Sequence, residues 1–338
     1  MNKKKYAAID IAKYVAALLV VCIHTYPFID ISETFNTYWM HIVCRLAVPF
    51  FFTVSGFFFF RKYEDGQDEN NLENLKGFIK RLLIIYGIWT VIYLPYTIIN
   101  YISAGAPWYA VLGWIRDALI NGSYYHLWFF PALMIGTFIV YELYKREGLI
   151  NTIKIAAILY GIGYFINIYA SIWESLPIVS ILYGFIIKLM GTARNGFFFA
   201  PIFIALGLLL ARTKRLPNKT SALGFGASFV LLAVEVLLYG KLGLLHDLSS
   251  MFLLLVPAVY FLVNWLLTVK MPYKKQYAIL RKDSLLIYTS HVLFARLLFI
   301  WIPDANLVVF FLTLACSQAF ASLVVRGMEK YPILENLV

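Results

Sequence analysis

His24, Arg45, His126, Arg194 and His291 stand inside, or at the rim of, apolar segments of membrane-spanning length. Ionisable groups are expensive in hydrocarbon, so where they occur they line a water-filled cavity, a substrate path or a catalytic centre. Imidazole takes and gives a proton near neutral pH, and a guanidinium beside it can hold developing negative charge. The chemistry these residue types could do together is therefore proton transfer next to fixed positive charge. In the first apolar run Lys13 and His24 share a helical face, because eleven residues at ~100° each return to within ~20° of the start while rising ~16 Å. Asp10 lies on that face too. Asp10 and Lys13, at i and i+3, either neutralise one another or hold a negatively charged ligand.

The second run reads Arg45-Leu-Ala-Val-Pro49-Phe-Phe-Phe52-Thr-Val-Ser55-Gly56-Phe57. A hairpin between the first two runs returns Arg45 to the depth of His24, which assigns both to one pocket. Ser55 and Gly56 form either a helix-packing surface or a direct contact with ligand. Two later runs open on the same side with His126-Leu-Trp128 and Arg194-Asn195-Gly196. Alone, each would read as an interfacial side chain; their shared depth with His24 and Arg45 groups them. His291, three residues after Tyr288, falls near the middle of a further run, as a core histidine or a site residue.

The elements that must position these side chains are transmembrane helices. The chain is 62% hydrophobic, 18% aromatic and only 14% charged, and its mean hydropathy is +0.76. That composition excludes a soluble fold and predicts an all-α, polytopic membrane protein. Apolar runs of spanning length fall at 7–28, 43–61, 78–101, 127–144, 150–169, 195–213, 221–240, 248–269, 283–302 and 305–325, giving about ten transmembrane helices in a single membrane domain, 1–338. Segment 108–120 reads as interfacial, and 172–190 as extracytoplasmic or re-entrant.

Basic residues set the orientation. Lys3 to Lys5, Arg61, Lys62, Lys76, Lys80, Arg81, Lys145, Arg146, Arg212, Lys214, Arg215, Lys219, Lys270, Lys274, Lys275, Arg281, Lys282, Arg326 and Lys330 all fall on one side of a ten-span arrangement. By the positive-inside rule both termini are cytoplasmic. The opposite loops hold Asp30, Glu33, Asp117, Glu174, Asp247 and Asp304. The net charge of +11 is thus topological, and no nucleic-acid partner is expected. Cys22, Cys44 and Cys316 each lie in a hydrophobic run and read as buried free thiols. The first run continues through His24 to Pro27 with no small-residue cleavage site, so it reads as an uncleaved first helix. The polar stretch Glu64 to Glu73 reads as a solvated loop, and Glu142 and Glu235 have no partner at helical spacing.

Taken together, these residues resemble the integral-membrane acyltransferase family 3, whose first span carries Arg or Lys, ten residues, then His. Here that is Lys13 to His24. The resemblance extends to Arg45-x3-Pro49-x-Phe51-Phe52-x2-Ser55-Gly56-Phe57, to His126-Leu-Trp128-Phe129, to Arg194-Asn195-Gly196 and to Tyr288-x2-His291, and covers essentially the whole chain. It implies transfer of an acyl group, often acetyl, from cytoplasmic acyl-CoA to a hydroxyl of a cell-envelope glycan or a smaller acceptor, in the cytoplasmic membrane of a bacterium. The histidine matching His24 is regarded as catalytic in that family. Lys13 stands where Arg is commoner, and no fused hydrolase-like domain is visible, which implies a simple acceptor or delivery without a second domain.

On that resemblance His24 acts as general base on the acceptor hydroxyl, and Arg45, or Arg194, stabilises the oxyanion or positions the acceptor. Lys13, with Asp10, meets acyl-CoA near the cytoplasmic face, and Tyr288 and His291 position the donor or orient the acceptor. His126, Trp128, Arg194, Asn195 and Ser55 surround the acceptor. Acyl-CoA is a co-substrate, and no resident cofactor or metal is expected. A zinc site built from His24, His126 and His291 is chemically possible, but no close-spaced ligand motif accompanies it. The chain also resembles the membrane part of vancomycin-resistance serine racemases, without their cytoplasmic racemase domain. That likeness implies an alternative, transport of a small amino acid such as serine.

Overall fold

The computed structural model of the protein describes residues 5–246 and 248–338. Lys3, Lys4 and Asp247 of the charge pattern lie outside the described residues. The described chain is helical, without strands: α1 (Ala7–Thr25), α2 (Glu33–Ile42), a 3-10 turn at Cys44–Leu46, α3 (Ala47–Phe60), α4 (Asp68–Ser103), α5 (Ala110–Ile120), α6 (Phe129–Ile168), α7 (Ala170–Ser175), α8 (Pro177–Met190), α9 (Ala200–Arg212), α10 (Asn218–Lys241), α11 (Leu255–Thr268), α12 (Lys275–Trp301), α13 (Asn306–Gly327) and a closing 3-10 turn, Pro332–Leu337.

Among the described residues, seven segments are long and apolar enough to cross a membrane: α1, the run Glu33–Phe60, α4, α6, α10, α12 and α13. The protein is a multi-pass membrane protein. Each of the ten apolar runs contains helix, but four depart from a simple one-run, one-span picture. The runs at 127–144 and 150–169 form one 40-residue element, broken where Gly148 takes φ +72°, a backbone conformation that only glycine adopts freely. The runs at 195–213 and 248–269 hold helices of 13 and 14 residues, α9 and α11. Segment 172–190 breaks at Leu176, extended before Pro177, and the 14-residue α8 that follows is ~21 Å long, short of a ~30 Å hydrocarbon core.

The chain divides into two compact units. The first comprises residues 1–54, 214–238 and 254–338. In it α1 packs against α12, α13, α11 and the turn at Cys44–Leu46, and α12 packs along α13. Ala16 and Ala17 of α1 are buried beside Val20 and Val21, and such small residues let helices approach closely without a hydrophobic driving force in lipid. Asn264 of α11 donates to the Ser221 hydroxyl and the Leu216 carbonyl, and Glu235 of α10 accepts the backbone N–H of Leu254 at the start of α11 (2.8 Å). Glu235, without a partner at helical spacing, thus satisfies a helix N-terminus.

The second unit comprises residues 55–213 and 239–253. Its spine is α6 against α9, with α4, α5 and α7 packed on α6. The stretch Glu64 to Glu73 is not simply a solvated loop: Asn71 is 2% exposed, takes the N–H of Glu64 and donates back to its carbonyl, and α4 begins at Asp68. Arg212 ties this end together through the Tyr144 hydroxyl, the Tyr63 carbonyl and Asp65. Glu142 pairs with Arg146 at i+4 (3.0 Å), a spacing the sequence already contained.

Candidate functional site

In the first unit, His24 lies in the last turn of α1, where the helix ends at Tyr26. That residue takes φ +48° and donates its N–H to the Cys22 carbonyl (3.0 Å). Left-handed backbone is costly for a bulky side chain, and Pro27 follows, so α1 stops abruptly beside its histidine. The Asn306 amide, at the start of α13, donates to the Thr25 carbonyl (2.9 Å), satisfying one of the free carbonyls of that terminus.

The His24 ring lies 5.1 Å from the ring of His291, tilted by 32°. His291 is fully buried in α12, and its Nδ1 is 3.0 Å from the Ile287 carbonyl. A carbonyl can only accept, so Nδ1 carries a proton and the neutral ring keeps its lone pair on Nε2. Tyr288 is buried on the preceding turn, 6.3 Å from the His291 ring and 6.5 Å from Phe51. Arg45 is 9% exposed, in the Cys44–Leu46 turn against which α1 packs. Its position differs from the expected start of a span. Ser32 caps α2 by accepting the Phe35 N–H, so helix begins ten residues upstream of the expected run, and Arg45 falls inside the continuous segment Glu33–Phe60.

At the other end of α1, Asp10 is buried. It accepts the Tyr273 hydroxyl (3.0 Å) and faces Arg281 at 3.9 Å. Burial, reinforced by that hydrogen bond, pushes the Tyr273 hydroxyl up. Lys5 sits 4.9 Å over the Tyr273 ring, and Arg215 covers the Tyr6 ring and donates to its hydroxyl. Lys13 is half-buried one turn further along. This end of the unit concentrates cations around the rings of Tyr6 and Tyr273.

Sequence reasoning missed Asp283. It is 4% exposed in α12, accepts Gln318 Nε2 (3.2 Å), and the Tyr14 hydroxyl donates to the same Gln318 (2.7 Å). Among the described residues Asp283 has no ion pair and its Oδ1 no hydrogen-bond partner. The only signal in the sequence was an acid at the edge of an apolar run.

In the second unit, the Arg194 guanidinium lies 4.9 Å over the Trp128 ring, which also meets Phe199 edge-on. Asn195 is fully buried. Its Oδ1 accepts the N–H groups of Phe197 and Phe198, and its Nδ2 donates to the Thr192 carbonyl. The amide therefore builds the turn that presents Arg194 ahead of α9. His126, 1% exposed, is enclosed by Tyr93, Tyr124 and Tyr125 at 4.7–5.8 Å. Ser55 is half-buried in α3. Of the expected residues, His24, His291 and Tyr288 thus lie together where α1 meets α12, Arg45 lies in the Cys44–Leu46 turn packed on α1, Asp10 and Lys13 lie toward the other end of α1, and Arg194 stands with Trp128 and Asn195 ahead of α9. No group of three or more His, Cys, Asp or Glu side chains among the described residues is placed to hold a metal ion.

A family described as an acyltransferase domain matches residues 6–326. Similar proteins include an amino-acid racemase of Enterococcus faecalis, 36% identical over 79% of this chain and 36% of that protein. A second amino-acid racemase of Enterococcus faecalis is 30% identical over 99% of the chain and 48% of its own length. A serine/alanine racemase of Enterococcus gallinarum is 32% identical over 76% of the chain and 36% of its own length. The chain therefore spans between about a third and a half of the curated relatives it matches. No solved structure matches.

Proposed function

The chain belongs to the acyltransferase domain family, and on that premise we propose that it is a membrane acyltransferase carrying an acyl group, acetyl first of all, from cytoplasmic acyl-CoA to a hydroxyl of a cell-envelope glycan or smaller acceptor. The observation that carries the reading is the His24 imidazole, half-buried at the end of α1 and faced at 5.1 Å by a second histidine ring whose tautomer is fixed by a backbone carbonyl. His24 takes the proton of the acceptor hydroxyl as its oxygen attacks the thioester carbonyl. Arg45 holds the oxyanion of the tetrahedral intermediate. The C–S bond then breaks, and the CoA thiolate recovers the proton from His24. His291 and Tyr288 are assigned to orienting His24 and the acyl donor, and Arg194, stacked on Trp128, is assigned with His126 and Ser55 to recognition of the acceptor. The proposed topology is ten spans with both termini cytoplasmic. Purified protein given radiolabelled acetyl-CoA and envelope extract is expected to release CoA and pass label to an acceptor; a preparation that neither binds nor turns over acetyl-CoA would overturn the reading.

Lys13, one helix face and ~16 Å from His24, is assigned to the CoA phosphates with the cations around Tyr273 and Tyr6. Lys13→Ala is expected to weaken acyl-CoA binding about tenfold, the loss of one partly desolvated charge contact, with a smaller change in turnover at saturation. Calorimetric titration with CoA checks this, and unchanged affinity removes Lys13 from the donor site.

A second reading is favoured by Asp283 and by relatives that carry racemase names: transport of a small amino acid such as serine. A zwitterion needs an anion for its ammonium group, and a buried carboxylate lacking an ion pair among the described residues supplies one. Proteoliposomes loaded against labelled serine decide it. Uptake that is lost in Asp283→Asn, from protein without acetyl-CoA turnover, would establish transport; no uptake by wild-type protein would end this alternative.

A further inference from the structure

Cys22 and Cys44 come from α1 and from the turn Cys44–Leu46, which pack together. Their side chains share one buried cluster with Met40, against which Trp39 and Phe310 pack. The two thiols are 5% and 0% exposed, sealed from solvent within that cluster. Buried cysteines usually pack as small hydrophobes, but two thiols brought into one buried cluster from different, mutually packed segments are the arrangement from which an S–S bond of ~2.05 Å can be closed. Their places in the chain give that bond a consequence. Cys22 precedes His24 by two residues, and Cys44 directly precedes Arg45.

We propose that Cys22 and Cys44 form a reversible disulfide that clamps α1 to the turn carrying Arg45, and that the clamped form is inactive. A two-electron oxidant of the disulfide class supplies the chemistry. One thiolate attacks the external disulfide and releases the first thiol. The second thiolate then attacks the mixed disulfide, releasing the other. Two S–H bonds are lost, one protein S–S bond forms, and the two electrons and two protons leave on the reduced oxidant. His24 and Arg45, each beside an anchored cysteine, can then no longer shift relative to one another as the reacting atoms move. The inactivation rests on the acyl-transfer reading; the cross-link does not.

Treating the full chain in detergent with dithiodipyridine, followed by denaturation and peptide mass mapping, tests the cross-link. The expected result is joined Cys22 and Cys44 peptides, with a pyridylthio adduct confined to Cys316, so that two of the three thiols disappear without an adduct and return on reduction. Separate adducts on Cys22 and Cys44, or both left as free thiols while Cys316 reacts, would overturn the proposal. Acetyl transfer measured on the same samples is expected to be lost on oxidation and regained on reduction. The Cys22→Ser/Cys44→Ser double variant should keep its turnover through oxidation; a variant that is still inactivated would overturn the inactivating role while leaving the cross-link standing. Failure of wild-type turnover before oxidation would count against acyl transfer, not against the cross-link.

Discussion

His24→Ala is expected to lower acetyl transfer by about 100- to 10,000-fold, the range set by loss of a general base, while leaving the protein folded. The two halves of that expectation come from different features of α1. The imidazole is half-buried in the last turn, and the terminus is held by contacts that do not use it: the Tyr26 N–H on the Cys22 carbonyl and the Asn306 amide on the Thr25 carbonyl. Truncation at Cβ removes one face of the pair with His291 and opens no large void in the packed stretch of the helix, where Ala16, Ala17, Val20 and Val21 lie. Wild type and variant should therefore melt within a few degrees of each other, and CoA release from radiolabelled acetyl-CoA should be confined to the wild type. Full turnover by His24→Ala would sink the assignment of the base. Equal loss of turnover and thermal stability would instead make His24 a packing residue.

How much of this was readable in the chain depends on the range of the interaction. Hydropathy is local, so the apolar runs are visible and each contains helix. The conformation of Gly148, which divides α6, belongs to a single residue in a continuous apolar pattern and leaves no periodic trace. The depth argument grouped His24 with Arg45, and α1 packs on the Cys44–Leu46 turn that holds Arg45. It placed Arg45 at the start of a span because the Ser32 cap lies in a polar stretch outside the hydropathy window. The pairing of His24 with His291 spans nearly the whole chain, and no spacing rule reaches that far. The likeness Tyr288-x2-His291 pointed to the residue but not to its partner. Asn195 illustrates another limit: its motif marked it as a site residue, whereas its amide is committed to the turn that carries Arg194. Asp283 was overlooked because an acid at the edge of an apolar run looks like a boundary, and only the packing of α1, α12 and α13 makes it a buried carboxylate. Glu142 with Arg146 was legible at i, i+4 and simply unread.

Gly56→Ala is the substitution expected to damage the fold most for its size. A Cβ at Gly56 would lie 2.6 Å from the carbonyl oxygen of Ile204 and 3.0 Å from its Cα. Both are backbone atoms of α9, so no side chain can turn aside; α3 and α9 must separate along the contact. Overpacking of this kind typically costs about 1–3 kcal/mol, and a cost of that size lowers the melting temperature of a chain this long by several degrees. Gly87 of α4 is the control, because an added Cβ there meets nothing within 4 Å. Gly87→Ala should be neutral, or stabilising by up to about 1 kcal/mol from helix propensity. A melt in detergent that orders the three proteins Gly87→Ala at or above wild type, and Gly56→Ala well below it, would establish Gly56 as a contact point between the two backbones; equal melts for both variants would refute it. The same experiment separates packing from chemistry, since α3 begins one residue after the turn that holds Arg45. If Arg45 stabilises the oxyanion, Gly56→Ala should lose turnover at temperatures where it is still fully folded, because a displaced α3 carries the start of its own helix with it. A Gly56→Ala protein that is folded and fully active would show that the displacement does not reach Arg45.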